Sequence, residues 1–327
     1  MSSTPLEAVG LHEISEQDES RQQVLDEIIA GLSQPLKTLS PKFFYDERGS
    51  ELFDEITRLP EYYLTVTEAE IMRDCIAEVA ELIGPQASVI EFGAGSNQKI
   101  RLLLANLKEP AVYVPVDISR DFLEAEAKDL AGDFPELEII PVAADFTQPF
   151  DLPNPAIMPR RNIVFFPGST IGNFSPEASL ELLKVMHHEA GIGGGLLIGV
   201  DLRKDRATLE QAYNDAEGVT AEFNLNILTH LNRVYGANFR REQFRHDAVY
   251  NEEAGRIEMY LISEIDQSFS IGGQEFSMAQ GERLLTEHSH KYSLDGFAAL
   301  ASAAGFRVWK VWTDGEEKFS VQFLERD

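Results

Sequence analysis

Cysteine is almost missing from this chain: Cys75 is the one thiol in 327 residues. A single thiol closes no internal disulfide, so the fold must hold without covalent cross-links, and such usage fits a reducing compartment. No activating partner adjoins Cys75 in the sequence, which makes it a small core residue rather than a nucleophile. Positive charge is scarce as well. Lys and Arg number 28 against 55 Asp and Glu, a formal net charge of −27. A field of that sign repels phosphate backbones and anionic lipid, and this argues against nucleic-acid and membrane-surface roles. Long apolar runs are absent: no stretch reaches the length needed to span a bilayer, and Met1 to Gln17 show no apolar signal-like core. No internal repeat or low-complexity tract interrupts the chain. The expectation is a cytoplasmic protein, monomeric, that handles a small molecule. Apolar residues at 43% and charged residues at 25% are ordinary for a globular protein, and the length suits one large α/β domain with a smaller companion.

Val24, Ile28, Ile29 and Leu32 have helical spacing. An aromatic stretch, Phe43-Phe44-Tyr45-Asp46, precedes a short helix through Leu52, Phe53 and Ile56. Thr67 with Glu70 forms a capping box that predicts the start of a helix with the apolar face Ile71, Cys75, Val79, Leu82 and Ile83, stopped by Gly84-Pro85. Strands and helices then alternate. Strands are predicted at Val89–Phe92, Val112–Val116, Leu137–Val142, Ile163–Phe166 and Leu196–Val200. The helices between them include Ile100–Leu107, one capped by Ser119 through Phe122 and Leu130, and one opened by Ser175-Pro176, where proline suits the first helical position. Such alternation predicts a parallel sheet covered on both faces. It breaks down after Asp205, where helices to Asn232 are followed by strands within Arg256–Met278 and a Gly272-Gly273 hairpin turn. Ser293 caps a last helix, Leu294–Ala304, and strands Phe306–Trp312 and Phe319–Glu325 close the chain. The fold class is therefore α/β: a doubly wound, Rossmann-like sheet of the class I methyltransferase type with a closing β-hairpin, plus a second, smaller α+β lobe.

Glu91-Phe92-Gly93-Ala94-Gly95-Ser96 lies directly after a strand and before a helix, where two glycines let the backbone turn sharply and approach a ligand. Asp117 ends the next strand, placed to accept hydrogen bonds from both hydroxyls of a ribose. Asp145-Phe146 ends the third, with Asp145 suited to an adenine amino group and Phe146 to the ring face. Either acid taken alone is equally a loop-capping carboxylate. In series at strand ends they mark a ligand site. The third glycine of the dinucleotide fingerprint would fall at Gln98, and no Gly-Lys-Ser/Thr follows, so nicotinamide and P-loop readings fit less well than S-adenosylmethionine. A metal is not expected. His187 and His188 are adjacent on a helix and diverge. His288 and His290 share a strand face without a third ligand, opposite Glu287 and Ser289.

Beyond these local signals, the chain resembles the histidine-specific Nα-methyltransferases of ergothioneine biosynthesis. The resemblance runs through Pro41-Lys42-Phe43-Phe44-Tyr45-Asp46-Glu47-Arg48-Gly49-Ser50-Glu51-Leu52-Phe53, Leu59-Pro60-Glu61-Tyr62-Tyr63-Leu64-Thr65 and the glycine turn. It continues in Phe166-Pro167-Gly168-Ser169-Thr170-Ile171-Gly172-Asn173-Phe174, Ala212-Tyr213-Asn214-Asp215 and Thr286-Glu287-His288-Ser289-His290-Lys291-Tyr292. It implies cofactor contacts from Tyr45, Gly93, Lys99, Asp117, Asp145 and Phe146, and substrate contacts from Tyr62, Asn173, Tyr213, Met259, Glu287 and Ser289. Asn173 and Tyr213 would hold the α-carboxylate, and Glu287 with Ser289 the imidazole; Tyr45, Tyr62 and Asn173 are the catalytic candidates. Leu64 departs from the proline of many members, at what reads as a turn. The resemblance also implies two lobes: residues 64–204 together with 288–327 bind S-adenosylmethionine, 20–63 together with 205–287 bind substrate, and 1–19 form a loose arm. The residue types suit the chemistry, because an imidazole N–H needs an acceptor and the other ring nitrogen can take a hydroxyl proton. The expected reaction is Nα-methylation of free histidine, to the trimethylated betaine hercynine. The rival readings are a related N-methyltransferase acting on an indole side chain, a nicotinamide oxidoreductase, and a noncatalytic ligand-binding protein on the same fold.

Overall fold

Strands that are apolar at consecutive positions, such as Val89-Ile90 and Leu196-Leu197-Ile198, need cover on both faces, and they have it. The computed structural model describes residues 21–95 and 98–326. The expected arm at 1–19, Ser96 of the glycine turn and the side chain of Phe122 lie outside the described residues. In chain order the elements are α1 over 21–32, then β1 (Lys37–Thr38), α2 (Glu47–Ile56), α3 (Tyr63–Ile83), β2 (Ala87–Phe92), α4 (Gln98–Asn106), β3 (Val112–Asp117) and α5 (Arg120–Asp133). Next come β4 (Glu138–Ile139), β5 (Val142–Ala143), β6 (Arg161–Phe166), α6 (Pro176–Ala190), β7 (Gly195–Asp201), α7 (Arg206–Tyr213) and α8 (Val219–Tyr235). The last are β8 (Phe244–Asn251), β9 (Arg256–Ser263), β10 (Gln267–Ile271), β11 (Gln274–Met278), β12 (Arg283–His290), α9 (Leu294–Ala303), β13 (Phe306–Thr313) and β14 (Phe319–Arg326). The chain divides into two compact units. One holds Tyr62–Leu209, Asn251–Ile257 and His288–Asp327; the other holds the described chain up to Glu61, with Glu210–Tyr250 and Glu258–Glu287.

The larger unit is built on a sheet of order β13-β14-β7-β6-β2-β3-β4, with β5 also on β3. Strands β2, β3, β6 and β7 run parallel, while β14 is antiparallel to β7 and β13 to β14. On one face Ile90, Phe92, Val114, Val164 and Ile198 pack against Leu183 and Met186 of α6 and Phe297 of α9. On the other, a Cβ on Gly199 would stand 2.0 Å from Oε1 of Glu68, so α3 lies directly on β7. The order reverses between β2 and β6, the switch point at which doubly wound sheets open a ligand crevice beyond the carboxyl ends of their strands.

Three expectations need correction. The helix expected from Thr67 starts a turn earlier, at Tyr63, with no side-chain cap on its first residue; Thr67 is interior. Its anchor is tertiary, since the Tyr63 hydroxyl donates to both oxygens of Asp201 at 2.9 Å. Leu64 is therefore a buried residue of that helix, 3% exposed, and not part of a turn. The strand expected over Leu137–Val142 is two short ones, both on β3. Pro141 between them has no N–H to continue the ladder. The helix expected to be capped by Ser119 forms as α5, but without a side-chain cap; the serine signals at Ser175 and Ser293 hold. Ser175 accepts from Ala178 N at 3.2 Å with Pro176 in the first turn, and Ser293 accepts from Gly296 N at 3.0 Å. Gly272 and Gly273, at φ 58° and 77°, make the β10–β11 hairpin turn.

The smaller unit carries a sheet of order β1-β12-β9-β8 and the separate β10–β11 hairpin. Phe223 of α8 meets two rings, Phe44 in the 3-10 turn before α2 at 4.5 Å between centroids and Phe53 of α2 at 6.0 Å. Asp46 organises that join: its carboxylate caps α2 through Gly49 N at 2.9 Å and accepts from Asn226 Nδ2 at 2.8 Å. A Cβ on Gly49 would stand 1.7 Å from the Phe44 carbonyl oxygen, so no other residue fits there.

Candidate active site

The glycine turn leaves β2 with Gly93 at φ 69°, and the N–H groups of Gly93 and Ala94 are bound by the Val116 carbonyl at 2.9 and 3.3 Å. The Phe146 ring lies against this turn, where a Cβ on Gly93 would stand 3.4 Å from its Cε1. Asp117, half-buried at the end of β3, accepts from Ser119 N at 2.9 Å; desolvation raises its carboxyl above the ordinary value, opposed by the Ser119 and Ile118 N–H groups. Asp145 is exposed and its Oδ1 accepts from Thr147 N at 2.9 Å and Thr147 Oγ1 at 2.7 Å. A shallow glycine cradle flanked by an aromatic ring and a carboxylate at the neighbouring strand end fits an adenosine: ring face, ribose hydroxyls and close backbone approach are all provided for.

Lys99 sits near the start of α4, ion-paired with the buried Glu68, whose carboxylate also accepts the Gly168 N–H at 2.9 and 3.0 Å. Gly168 and Ser169, at φ 81° and 57°, turn the chain out of β6 into the short 3-10 helix that ends at Asn173. That helix is fixed to the end of β12. A Cβ on Gly172 would stand 2.7 Å from the His290 carbonyl oxygen, and His290 Nδ1 donates to the Gly172 carbonyl at 2.9 Å. Asn173 is thus brought to the strand end that carries Ser289, which is 4% exposed. Tyr62, 9% exposed, immediately precedes α3.

Tyr45, Tyr213, Met259 and Glu287 belong to the smaller unit. Tyr213 ends α7. Asn214 beside it exchanges hydrogen bonds with Ala248 (2.8 and 3.0 Å), and Asp215 accepts from Val219 and Thr220 N–H at 2.8 Å to start α8. His246 Nε2 donates to the Tyr213 carbonyl at 2.8 Å, its Nδ1 accepts from Asn224 Nδ2 at 2.8 Å, and burial lowers its basicity. Met259 is 2% exposed on β9, and its carbonyl accepts from Thr286 Oγ1 of β12 at 3.1 Å. Glu287 is 9% exposed. The Tyr45 phenol is held above its ordinary value by desolvation first, then by the charge of Glu287 and by Tyr213, although 48% of the residue stays open to solvent. A phenol so placed keeps its proton at neutral pH.

Four charged residues of the larger unit were singled out by no sequence signal. Besides Glu68 they are Asp201, Lys204 and Lys291. Asp201, fully buried at the end of β7, receives Lys204 Nζ at 2.6 Å, Lys291 Nζ at 2.7 Å and the Tyr63 hydroxyl. Burial raises its carboxyl and the two lysines outweigh burial, so it sits below its ordinary value. Lys204 is lowered to about 8, by burial first. Lys291 Nζ also donates to Ser289 Oγ at 2.9 Å. A charged residue closing an otherwise apolar strand, as Asp201 does, is the one cue that might have been read. A separate cleft of about 330 Å³ between α3 and the turn after β13, lined by Asp74, Cys75, Glu78 and Trp312, contains none of the expected site residues. Among the described residues no cluster of three or more His, Cys, Asp or Glu is arranged to hold a metal, and no helix is long and apolar enough to cross a membrane.

A parallel sheet closed by an antiparallel hairpin, with an adenosine cradle at its switch point, defines an S-adenosylmethionine-dependent methyltransferase. Comparison with known proteins narrows the class. The chain belongs to the histidine-specific, S-adenosylmethionine-dependent methyltransferase family, whose model matches residues 24–326. It is 36% identical over 315 residues to the histidine N-alpha-methyltransferase of Mycolicibacterium smegmatis, covering 94% of this chain and 97% of that protein. Against the enzyme of the same description from Mycobacterium tuberculosis it is 37% identical over 311 residues, covering 92% and 94%. Ergothioneine biosynthesis protein 1 of Neurospora crassa is 31% identical over 340 residues, covering 95% of this chain and 38% of that longer protein.

Proposed function

We propose that this chain transfers methyl groups from S-adenosylmethionine to the α-amino nitrogen of free L-histidine, continuing to the trimethylated betaine hercynine, as a cytoplasmic monomer. The observation that carries the reading is the pair Glu287 and Ser289. An acid and a hydroxyl two residues apart on β12 share a strand side, both are buried, and both lie within the block that matches the family. A carboxylate accepts and the imidazole N–H donates; the second ring nitrogen takes the hydroxyl proton. Asn173 and Tyr213 are assigned the α-carboxylate, with Tyr62 and Met259 completing the substrate contacts. Neutral groups suit that task, since a free cation there would repel a sulfonium. The same logic fits Lys99, whose charge is already matched by Glu68.

S-adenosylmethionine supplies a methyl group already activated for transfer; Gly93, Asp117, Asp145, Phe146, Lys99 and Tyr45 are the residues assigned to hold it. The chain's contribution is alignment and exclusion of water, an effect worth roughly 7–11 kcal/mol in favourable cases. Tyr45, kept protonated, acts through its hydroxyl as an orienting group alongside Tyr62 and Asn173; the histidine ammonium gives up its proton to water before its nitrogen lone pair can act as the nucleophile.

Calorimetry with L-histidine in the presence of S-adenosylhomocysteine tests the assignment. Heat with histidine is expected. No heat with histidine but heat with another amino acid would end it. Glu287→Ala should weaken histidine binding by about tenfold or more, the loss expected for a hydrogen bond to a charged group, while S-adenosylhomocysteine binds as before. Equal losses for both ligands would make Glu287 a structural residue.

A further inference from the structure

The Lys291 ammonium is a buried group that the mechanism above does not use. Lys291 is 1% exposed, and its Nζ lies 2.7 Å from Asp201 Oδ2 and 2.9 Å from Ser289 Oγ. Asp201 is itself completely buried and fixed on every side: its oxygens accept from Tyr63 and Lys204, and its N–H donates to Ser169 Oγ at 2.9 Å. The backbone is equally constrained. Lys291 N donates to the Gly255 carbonyl at 2.8 Å, Tyr292 N to the Asp201 carbonyl at 3.0 Å, and Arg203 N to the Tyr292 carbonyl at 2.9 Å.

An ammonium has donors only, and that of Lys291 is ion-paired with a buried carboxylate 2.7 Å away. Ser289 Oγ must therefore accept from Lys291, which uses one of its two lone pairs and turns its own proton away from the ammonium. From this geometry we propose that Lys291 is a positioning residue: it sets the Ser289 hydroxyl as a hydrogen-bond donor toward the acceptor nitrogen of the substrate ring. With Glu287 able only to accept, the two side chains then read a ring that offers one N–H and one lone pair, which is the neutral imidazole. Asp201 acts one step further back, by holding the ammonium in place. The inference rests on the histidine reading of the same site.

The test compares two ligands on one protein. L-histidine and the pyrrolylalanines, whose ring keeps an N–H but has a C–H where the acceptor nitrogen was, are titrated by calorimetry with S-adenosylhomocysteine present. Wild-type protein should prefer histidine. In Lys291→Met that preference should fall by roughly five- to tenfold, the size expected for one hydrogen bond, with S-adenosylhomocysteine affinity unchanged. If Lys291→Met weakens both amino acids by the same factor, or neither, Lys291 does not orient Ser289 and the proposal falls. Should that variant fail to fold, Asp201→Asn keeps the shape and loosens the ammonium. It should erode the preference in the same direction, and an intact preference there also overturns the proposal. Failure of wild-type protein to bind histidine at all would instead remove the functional reading beneath it.

Discussion

Glu91 and Asp201 stand on strands of one sheet, 3% and 0% exposed, yet their carboxyls are shifted in opposite directions. Glu91 precedes the glycine turn on β2 and has a phenol for a partner, the Tyr113 hydroxyl at 2.5 Å. Desolvation dominates, and its carboxyl is pushed up to about 7. Asp201 has two ammonium groups and a phenol, and is held below its ordinary value. Burial is common to both; the partner decides. The β2 end of the sheet thus holds an acid that titrates near neutrality, and the β7 end a fixed ion cluster.

The largest expected break in this contrast comes from Asp201→Ala. It strands two buried lysines and should cost about 3–5 kcal/mol, read as a shift of the urea midpoint; a cost below about 1 kcal/mol would mean the lysines lean on other acceptors. Next in size is the pH dependence set by Glu91. A carboxyl raised in the folded state contributes its full share below its unfolded value near 4.5 and loses it as pH climbs through 7, a fall of about 3 kcal/mol. Glu91→Gln cannot titrate, so stability measured between pH 5 and 8 should lose that slope. An unaltered slope places the titration elsewhere. Tyr113→Phe is the smallest change, about 1–2 kcal/mol for an acceptor left unsatisfied. Because the Tyr113 hydrogen bond favours the charged acid, its removal should carry the pH midpoint upward. A downward move would contradict the assigned role of that bond.

The parallel core was legible because its signals are local: apolar runs, Gly84 and Gly305 as helix ends, and serines at Ser175 and Ser293. The start of α3 was not, because it depends on Tyr63 reaching Asp201, 138 residues away, and a capping box inside a helix looks the same as one at its end. The motif blocks that carry the resemblance mix two kinds of residue that sequence alone does not separate. Asp46, Gly49, Asn214 and Asp215 cap helices and bind backbone, whereas Tyr45 and Tyr213 beside them are the ones proposed to meet a ligand. Lys291 sat in plain view within Thr286–Tyr292. Its role appears only when Asp201, distant in sequence, is set against it.

Cys75 is 5% exposed on α3, and burial pushes its thiol up to about 12. At neutral pH almost none of it is thiolate, the form that reacts. Its reaction with maleimides and mild oxidants should therefore be slow. A second cysteine placed on the surface, for example at the exposed Ile192, would take up a fluorophore or spin label alone, and every signal recorded would come from that one chosen position.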